Sequence, residues 1–215
     1  MLKELNKIYP TNSGIYKLEL LKNKKNEFKL EAFVRKIGFS IDDLNHMISK
    51  LNQPEKQDIV YVISLVDWIT DGYDKVLKCY FKDIIDSYTY DKQKELDKCE
   101  SYFKAVRSFI TAHPLGTHRH KNYGLKGEFI GVDIKLKTDN LVRLFPENHF
   151  YYIDLNKMHD GKHENDDFYM RSYCTKQGSE AFVFIGCSFK DLYHVAEVYI
   201  DAFNDLDMYL TGIYR

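Results

Sequence analysis

"VRSFITAHPLGTHRH", residues 106–120, sets Arg107 and His113 at the two ends of a short apolar stretch, follows the histidine at once with Pro114, and trails His118 and His120 behind. A residue that precedes proline is steered out of the helical region. A helix entering this stretch therefore has to end near His113. Whether the stretch is an active site or the basic, well-capped end of a helix depends on what lies on either side of it.

Upstream the pattern is helical throughout. Leu30, Val34, Ile37, Ile41, Leu44, Ile48 and Leu51 recur by threes and fours, the spacing of an apolar helix face. Gly38 interrupts this face, and Ser40 with Asp43 reads as a capping box, so one long helix and two short ones with a kink are both open. "NQP" at 52–54 closes the element. A second helix runs from Glu55 to about Tyr88 on Ile59, Val62, Ile63, Val66, Ile69, Tyr73, Val76, Leu77, Tyr80 and Ile84. It carries Asp67 and Asp71 one turn apart on a shared face, and Trp68, read as core. The third helix starts near Asp91 and passes through Leu96, Cys99, Tyr102, Val106 and Ile110 toward His113.

Downstream the texture changes. "GEFIGVDIKL" (127–136), "HFYYIDLNK" (149–157) and "DFYMRSYC" (167–174) are short β-rich runs parted by turn residues. They predict a small antiparallel β insertion over 121–178. "GSEAFVFIGCS" reads equally as a fourth strand or as the lead into a helix. From Ser188, with Asp191 completing a capping box, Leu192, Val195, Tyr199, Phe203, Leu206 and Tyr209 form a last helical face. The expected fold class is α+β, mainly α: a single domain over 1–215. Its four-helix bundle spans 27–120 and 188–212, and the β insertion lies between the third and fourth core helices.

Composition sets the outer bounds. The chain has 215 residues, 44% hydrophobic and 29% charged, which is globular rather than disordered. With 31 basic against 32 acidic residues, coating nucleic acid through bulk charge is excluded, although a local site is not. Cys79, Cys99, Cys174 and Cys187 show no metal-type spacing. "MLKELNKIYP" lacks the apolar core of a signal peptide, and no apolar run reaches bilayer length, so a soluble cytoplasmic chain without membrane association is expected.

Arg107, the polar Ser108 and His113, at the end of the third helix and before a proline, resemble the motif of the HEPN superfamily of helical-bundle ribonucleases and nucleotide-binding domains. The resemblance covers the motif and the order of four helices; the β insertion is outside the minimal family pattern. It implies a homodimer that cleaves RNA without a metal or other cofactor, in a toxin–antitoxin or phage-defence setting with an antitoxin as partner protein. In that reading Arg107 stabilises transition-state charge, His113 transfers protons and Ser108 orients one of them. Asp67 and Asp71 support Arg107.

The chemistry is consistent in its own terms. Histidine titrates where 2′-hydroxyl activation needs it, and arginine holds phosphate oxygens in a bidentate fork. On a straight helix residues six apart differ by about 120° in direction and about 9 Å in height, so the break at Pro114 or a second subunit has to bring them together. Beyond the motif, His118, Arg119, His120 and Lys121 form a local basic cluster suited to a phosphate backbone, and Tyr123 can stack on a base. The alternative is a non-catalytic bundle that binds a nucleotide, a nucleic acid or a protein. Arg107 would then pair with Asp67 or Asp71 and His113 would complement the helix dipole.

No metal site is expected. His159 and His163, four apart in "HDGKHENDD", sit beside Gly161 in what reads as a flexible turn. No phosphate-binding glycine loop, GxSxG or HExxH is present.

Overall fold

Leu30, Val34, Ile37, Ile41 and Leu44 lie along the buried side of one helix, α1 (Lys25–Met47), in a computed structural model that describes residues 2–8, 14–110, 128–139, 141, 149–176 and 179–212. Gly38 does not break α1. Ser40, expected at a helix start, lies inside it and donates its hydroxyl to the Lys36 carbonyl at 2.8 Å, the back-bond of a serine in mid-helix. The second helix, α2 (Lys56–Leu77), ends well before Tyr88. Its continuation is extended because Lys22 N–H donates to the Cys79 carbonyl at 3.0 Å and Phe81 N–H to that of Leu20 at 3.1 Å. This bridge, centred on Leu21 and Tyr80, competes successfully with helix propagation. A short α3 (Lys82–Asp86), α4 (Gln93–Ile110) and α5 (Phe189–Gly212) complete the α-helices among the described residues.

The chain divides into two compact units. The first comprises Met1–Ser49, Ser64–Asp97 and Tyr193–Arg215; the second comprises Lys50–Ile63 and Lys98–Leu192. In the first, α1 and α2 approach so closely at Gly72 that a methyl there would meet the Ile37 side chain at 2.7 Å. Tyr73 on α2 meets Tyr199 on α5 edge-to-face at 5.7 Å, and the Tyr193 hydroxyl on α5 donates to the Leu44 carbonyl of α1 at 2.5 Å. The end of α5 is capped by the chain's own beginning. Lys17 Nζ donates to the carbonyls of Leu210 and Thr211 at 2.9 and 3.0 Å, placing a cation where the helix dipole favours one.

In the second unit a five-stranded sheet is inserted between α4 and α5, with order β1-β4-β5-β2-β3. The strands are β1 (Glu128–Leu136), β2 (His149–Ile153), β3 (Met158–Asp160), β4 (Phe168–Lys176) and β5 (Ser179–Cys187). The sheet is mixed, not antiparallel as expected: β2 runs parallel to β5, with Phe150 opposite Phe184. A reading that joins successive strands by hairpins misses this pair, because β3 and β4 lie between them in sequence. The insertion also extends past residue 178. "SEAFVFIGC" is the central strand β5, and Val183, Phe184 and Ile185 in succession are buried, the mark of a strand covered on both faces.

Candidate functional site

Arg107 lies in the last turn of α4, partly exposed, while its neighbours Val106, Ser108 and Phe109 are buried. Ser108 is committed locally: its hydroxyl donates to the Ala105 carbonyl at 2.7 Å. Next to it, the Phe109 carbonyl abuts Gly131 of β1, where a Cβ would sit 2.1 Å from that oxygen. Glycine here, beside the irregular register between Gly131 and Asp133, lets the sheet backbone reach the end of α4. His113, His118, Arg119, His120, Lys121 and Tyr123 lie outside the described residues.

The two aspartates named with Arg107 are both on α2. Asp71 is exposed and pairs with Lys75 one turn on, at 3.8 Å. Asp67 is partly buried, and its carbonyl accepts the Thr70 hydroxyl at 3.1 Å. Trp68, expected in the core, is 38% exposed, with Lys36 Nζ 4.2 Å from its ring centroid.

The segment read as a turn at 159–167 begins on β3, where His159 and Asp160 pair with β2, and continues as the loop that joins β3 to β4. His159 lies on β3 and its Nε2 is 2.7 Å from Asp154 Oδ2. Asp154 Oδ1 accepts the backbone N–H groups of Asn156 and Lys157 at 2.7 and 2.9 Å. Burial pulls the Asp154 carboxyl upward, but the His159 contact and these two N–H donors outweigh it and hold the group below the ordinary carboxylate range.

His163 stacks on Tyr152 at 4.4 Å with 10° between the ring planes, and the His159 ring lies 6.1 Å from that of His163. The Tyr152 hydroxyl donates to Asp191 Oδ2 at 2.9 Å, as does Ser188 Oγ, which also accepts the Asp191 N–H at 3.0 Å. The expected Ser188–Asp191 cap is thus formed and extended by a tyrosine from the sheet. Burial, reinforced by Asp191, pushes the Tyr152 phenol up.

Two further carboxylates brace the loop before β4. Asp166 is fully buried, with Oδ2 accepting the His163 N–H at 2.8 Å. Asp167 Oδ2 accepts the Phe189 N–H at 2.7 Å at the start of α5, where the dipole favours an anion. Burial nevertheless raises the pKa of both.

This His159–Asp154 and His163–Tyr152 assembly was not legible as a unit, because its parts come from β2, β3, a loop and α5. The sequence signals were the Ser188–Asp191 spacing and the four-residue step from His159 to His163. The hydroxyls of Tyr152 and Ser188 are both committed to Asp191, which makes the assembly a brace between sheet and helix start. Among the described residues no group of three or more His, Cys, Asp or Glu side chains is arranged to hold a metal. Nor is any described helix long and apolar enough to cross a membrane. Compared with known protein families, curated proteins and solved structures, the chain matches none.

Proposed function

We propose that the chain is a metal-independent endoribonuclease of the HEPN type, acting as a homodimer in a toxin–antitoxin or phage-defence setting. The observation that carries the reading is the placement of Arg107. It is a partly exposed residue flanked by buried Val106 and Ser108 in the last turn of α4, the third of the four long helices, and "TAHP" follows at 111–114 in the sequence. In this reading the four long helices α1, α2, α4 and α5 correspond in order to the core helices of the HEPN pattern, and the sheet is an insertion between the last two.

In this mechanism an imidazole of His113 takes the proton of a ribose 2′-hydroxyl, whose oxygen attacks the adjacent phosphorus. The Arg107 guanidinium holds the charge that develops on the phosphoryl oxygens. A second imidazole, from the other subunit, protonates the departing 5′-oxygen, leaving a 2′,3′-cyclic phosphate. His118, Arg119, His120 and Lys121 hold the backbone and Tyr123 stacks on a base. Ser108, with its hydroxyl donated within α4, acts as a packing residue at the base of Arg107 rather than as an orienting group.

That burial of Ser108 is also what a second reading draws on, a bundle that binds a nucleotide, nucleic acid or protein without turnover. Labelled RNA incubated in excess EDTA with wild type, His113→Ala and Arg107→Ala separates the two. Cyclic-phosphate ends from wild type alone, with the variants folded by circular dichroism, support the enzyme. Binding without cleavage by all three overturns it.

A further inference from the structure

Two histidines of the sheet insertion have complementary tautomers. Asp154 accepts two backbone N–H groups on Oδ1, and its Oδ2 lies 2.7 Å from His159 Nε2. An ionised carboxylate only accepts, so Nε2 of His159 carries the ring proton and Nδ1 keeps a bare lone pair. In His163 the arrangement is reversed. Its Nδ1 accepts the Asn165 N–H at 3.2 Å, which leaves the ring proton on the outer nitrogen, Nε2. Neither Nδ1 of His159 nor Nε2 of His163 has a hydrogen-bond partner among the described residues. The two rings lie 6.1 Å apart, and both side chains are partly open to solvent, that of His159 by 32%.

Both rings are held from behind. His159 is paired with Tyr152 across β3 and β2 and is oriented by a carboxylate that the intervening turn fixes. His163 is stacked on Tyr152, and its backbone N–H is bound by the buried Asp166. The surrounding charges restrict what can bind. Asp154 contacts one ring, Asp160 follows it on β3 and Asp166 holds the other, while the ammonium of Lys162 is drawn over the Phe150 ring at 4.4 Å. A phosphate or another anion is disfavoured there, and a neutral carbonyl group is not. The hydroxyls of Tyr152 and Ser188 are both given to Asp191, so neither serves as a nucleophile and water has to.

We propose that His159 and His163 form a hydrolytic site for small neutral carboxylic esters, separate from Arg107. Nδ1 of His159 takes a proton from water, whose oxygen bonds to the carbonyl carbon. The charge that develops on the carbonyl oxygen is held by the Nε2–H of His163, a neutral imidazole acting as donor. When the tetrahedral species collapses, the C–O bond to the alcohol breaks and His159 returns its proton to the departing oxygen. Water has then been divided between acid and alcohol, His159 is restored, and nothing else is consumed. Asp154 is a positioning residue: it keeps His159 in the tautomer that leaves Nδ1 bare and stabilises the imidazolium formed during the step. The site uses no part of the Arg107 motif and does not depend on RNA cleavage.

Hydrolysis of p-nitrophenyl acetate and of phenyl acetate by the full chain tests it, the second ester being the one that needs the returned proton. Wild type is expected to exceed free imidazole at equal concentration by at least about a hundredfold. His159→Ala should fall to the level of free imidazole, and His163→Ala should lose at least about tenfold in kcat. His46→Ala, which removes an exposed histidine of α1, should change nothing. Added imidazole should restore part of the rate lost in His159→Gly, a recovery that a misfolded chain does not show. Asp154→Asn should lower kcat at least about tenfold, and ring-nitrogen NMR shifts should show the His159 proton no longer confined to Nε2. A wild-type chain no faster than free imidazole overturns the proposal. So does an undiminished rate in His159→Ala or His163→Ala, an equal loss in His46→Ala, a His159→Gly chain that imidazole fails to rescue, or an Asp154→Asn chain with an unchanged His159 tautomer.

Discussion

A Cβ placed on Gly131 would lie 2.1 Å from the carbonyl oxygen of Phe109, so the first strand of the sheet and the last turn of α4 meet backbone to backbone. That contact fixes the turn carrying Arg107 and Ser108 to β1. Gly131→Ala adds one methyl where neither partner is a flexible side chain, so one of the two backbones has to shift. The expected cost is about 3 kcal/mol, near the upper end for overpacking. Urea unfolding should show a lower midpoint with unchanged slope. An unchanged midpoint would mean that strand and helix end are not in contact. Under the ribonuclease proposal the same variant should cleave poorly even where it is folded, because the Arg107 turn is displaced.

Asp166 gives a pH signature of the sheet's internal loop. It is buried, its carboxylate accepts the His163 N–H, and burial raises its pKa above the ordinary value. The folded chain then binds a proton at a pH where the unfolded chain, near 3.9, does not. With more protons bound in the folded state, stability falls as pH rises through the folded pKa and recovers as pH is lowered toward about 4. Asp167 shifts in the same direction, so the informative quantity is the difference between wild type and Asp166→Asn, whose side-chain oxygen can still accept the His163 N–H. Wild type should gain on the variant as pH drops from 7 toward about 4. A difference constant with pH would show that Asp166 titrates normally.

The helical part of the fold was legible because one-sided burial imposes its period on the sequence, as in α1 from Leu30 to Leu44. Two errors share a cause. Ser40 looked like a cap, and Tyr80 and Ile84 looked like a continuing helix, because local patterns do not register partners distant in sequence. Tyr80 is drawn out of the helix by Leu20–Lys22, and its hydroxyl donates to the Ile15 carbonyl at 2.5 Å. The parallel β2–β5 pair was hidden for the same reason. Of the candidate site, Arg107 at the end of α4 followed from helical spacing and Pro114. The brace around Tyr152 did not, since it is assembled from four separate segments.

The cysteines should be silent in the native protein. All four are buried thiols, and none is in a disulfide. Burial, with Asp191 and Asp166 adding negative potential, holds the Cys187 thiol well above its ordinary value, and burial also raises Cys79. A chromogenic disulfide reagent at pH 8 should therefore react at least about a thousandfold more slowly than with the unfolded chain, as expected when access requires opening. After denaturation four equivalents should react at once. A fast-reacting thiol in the native state would contradict the burial of at least one site.

Tyr152 has two separable duties, and a pair of substitutions resolves them. Its ring carries His163, stacked at 4.4 Å, while its hydroxyl is one of two donors to Asp191 Oδ2. Tyr152→Phe keeps the stack and leaves Ser188 on the carboxylate, so it should cost only about 1 kcal/mol. Tyr152→Ala removes a buried ring, leaves a cavity in the sheet and should cost about 3–5 kcal/mol. The His163 ring protons report the difference directly. In the phenylalanine variant they should keep the upfield shift that a stacked aromatic ring imposes, and in the alanine variant they should move to the positions of a solvent-exposed imidazole. If both variants shift those protons equally, the hydroxyl rather than the ring positions His163. The brace would then act through the Asp191 hydrogen-bond network, with stacking as its consequence.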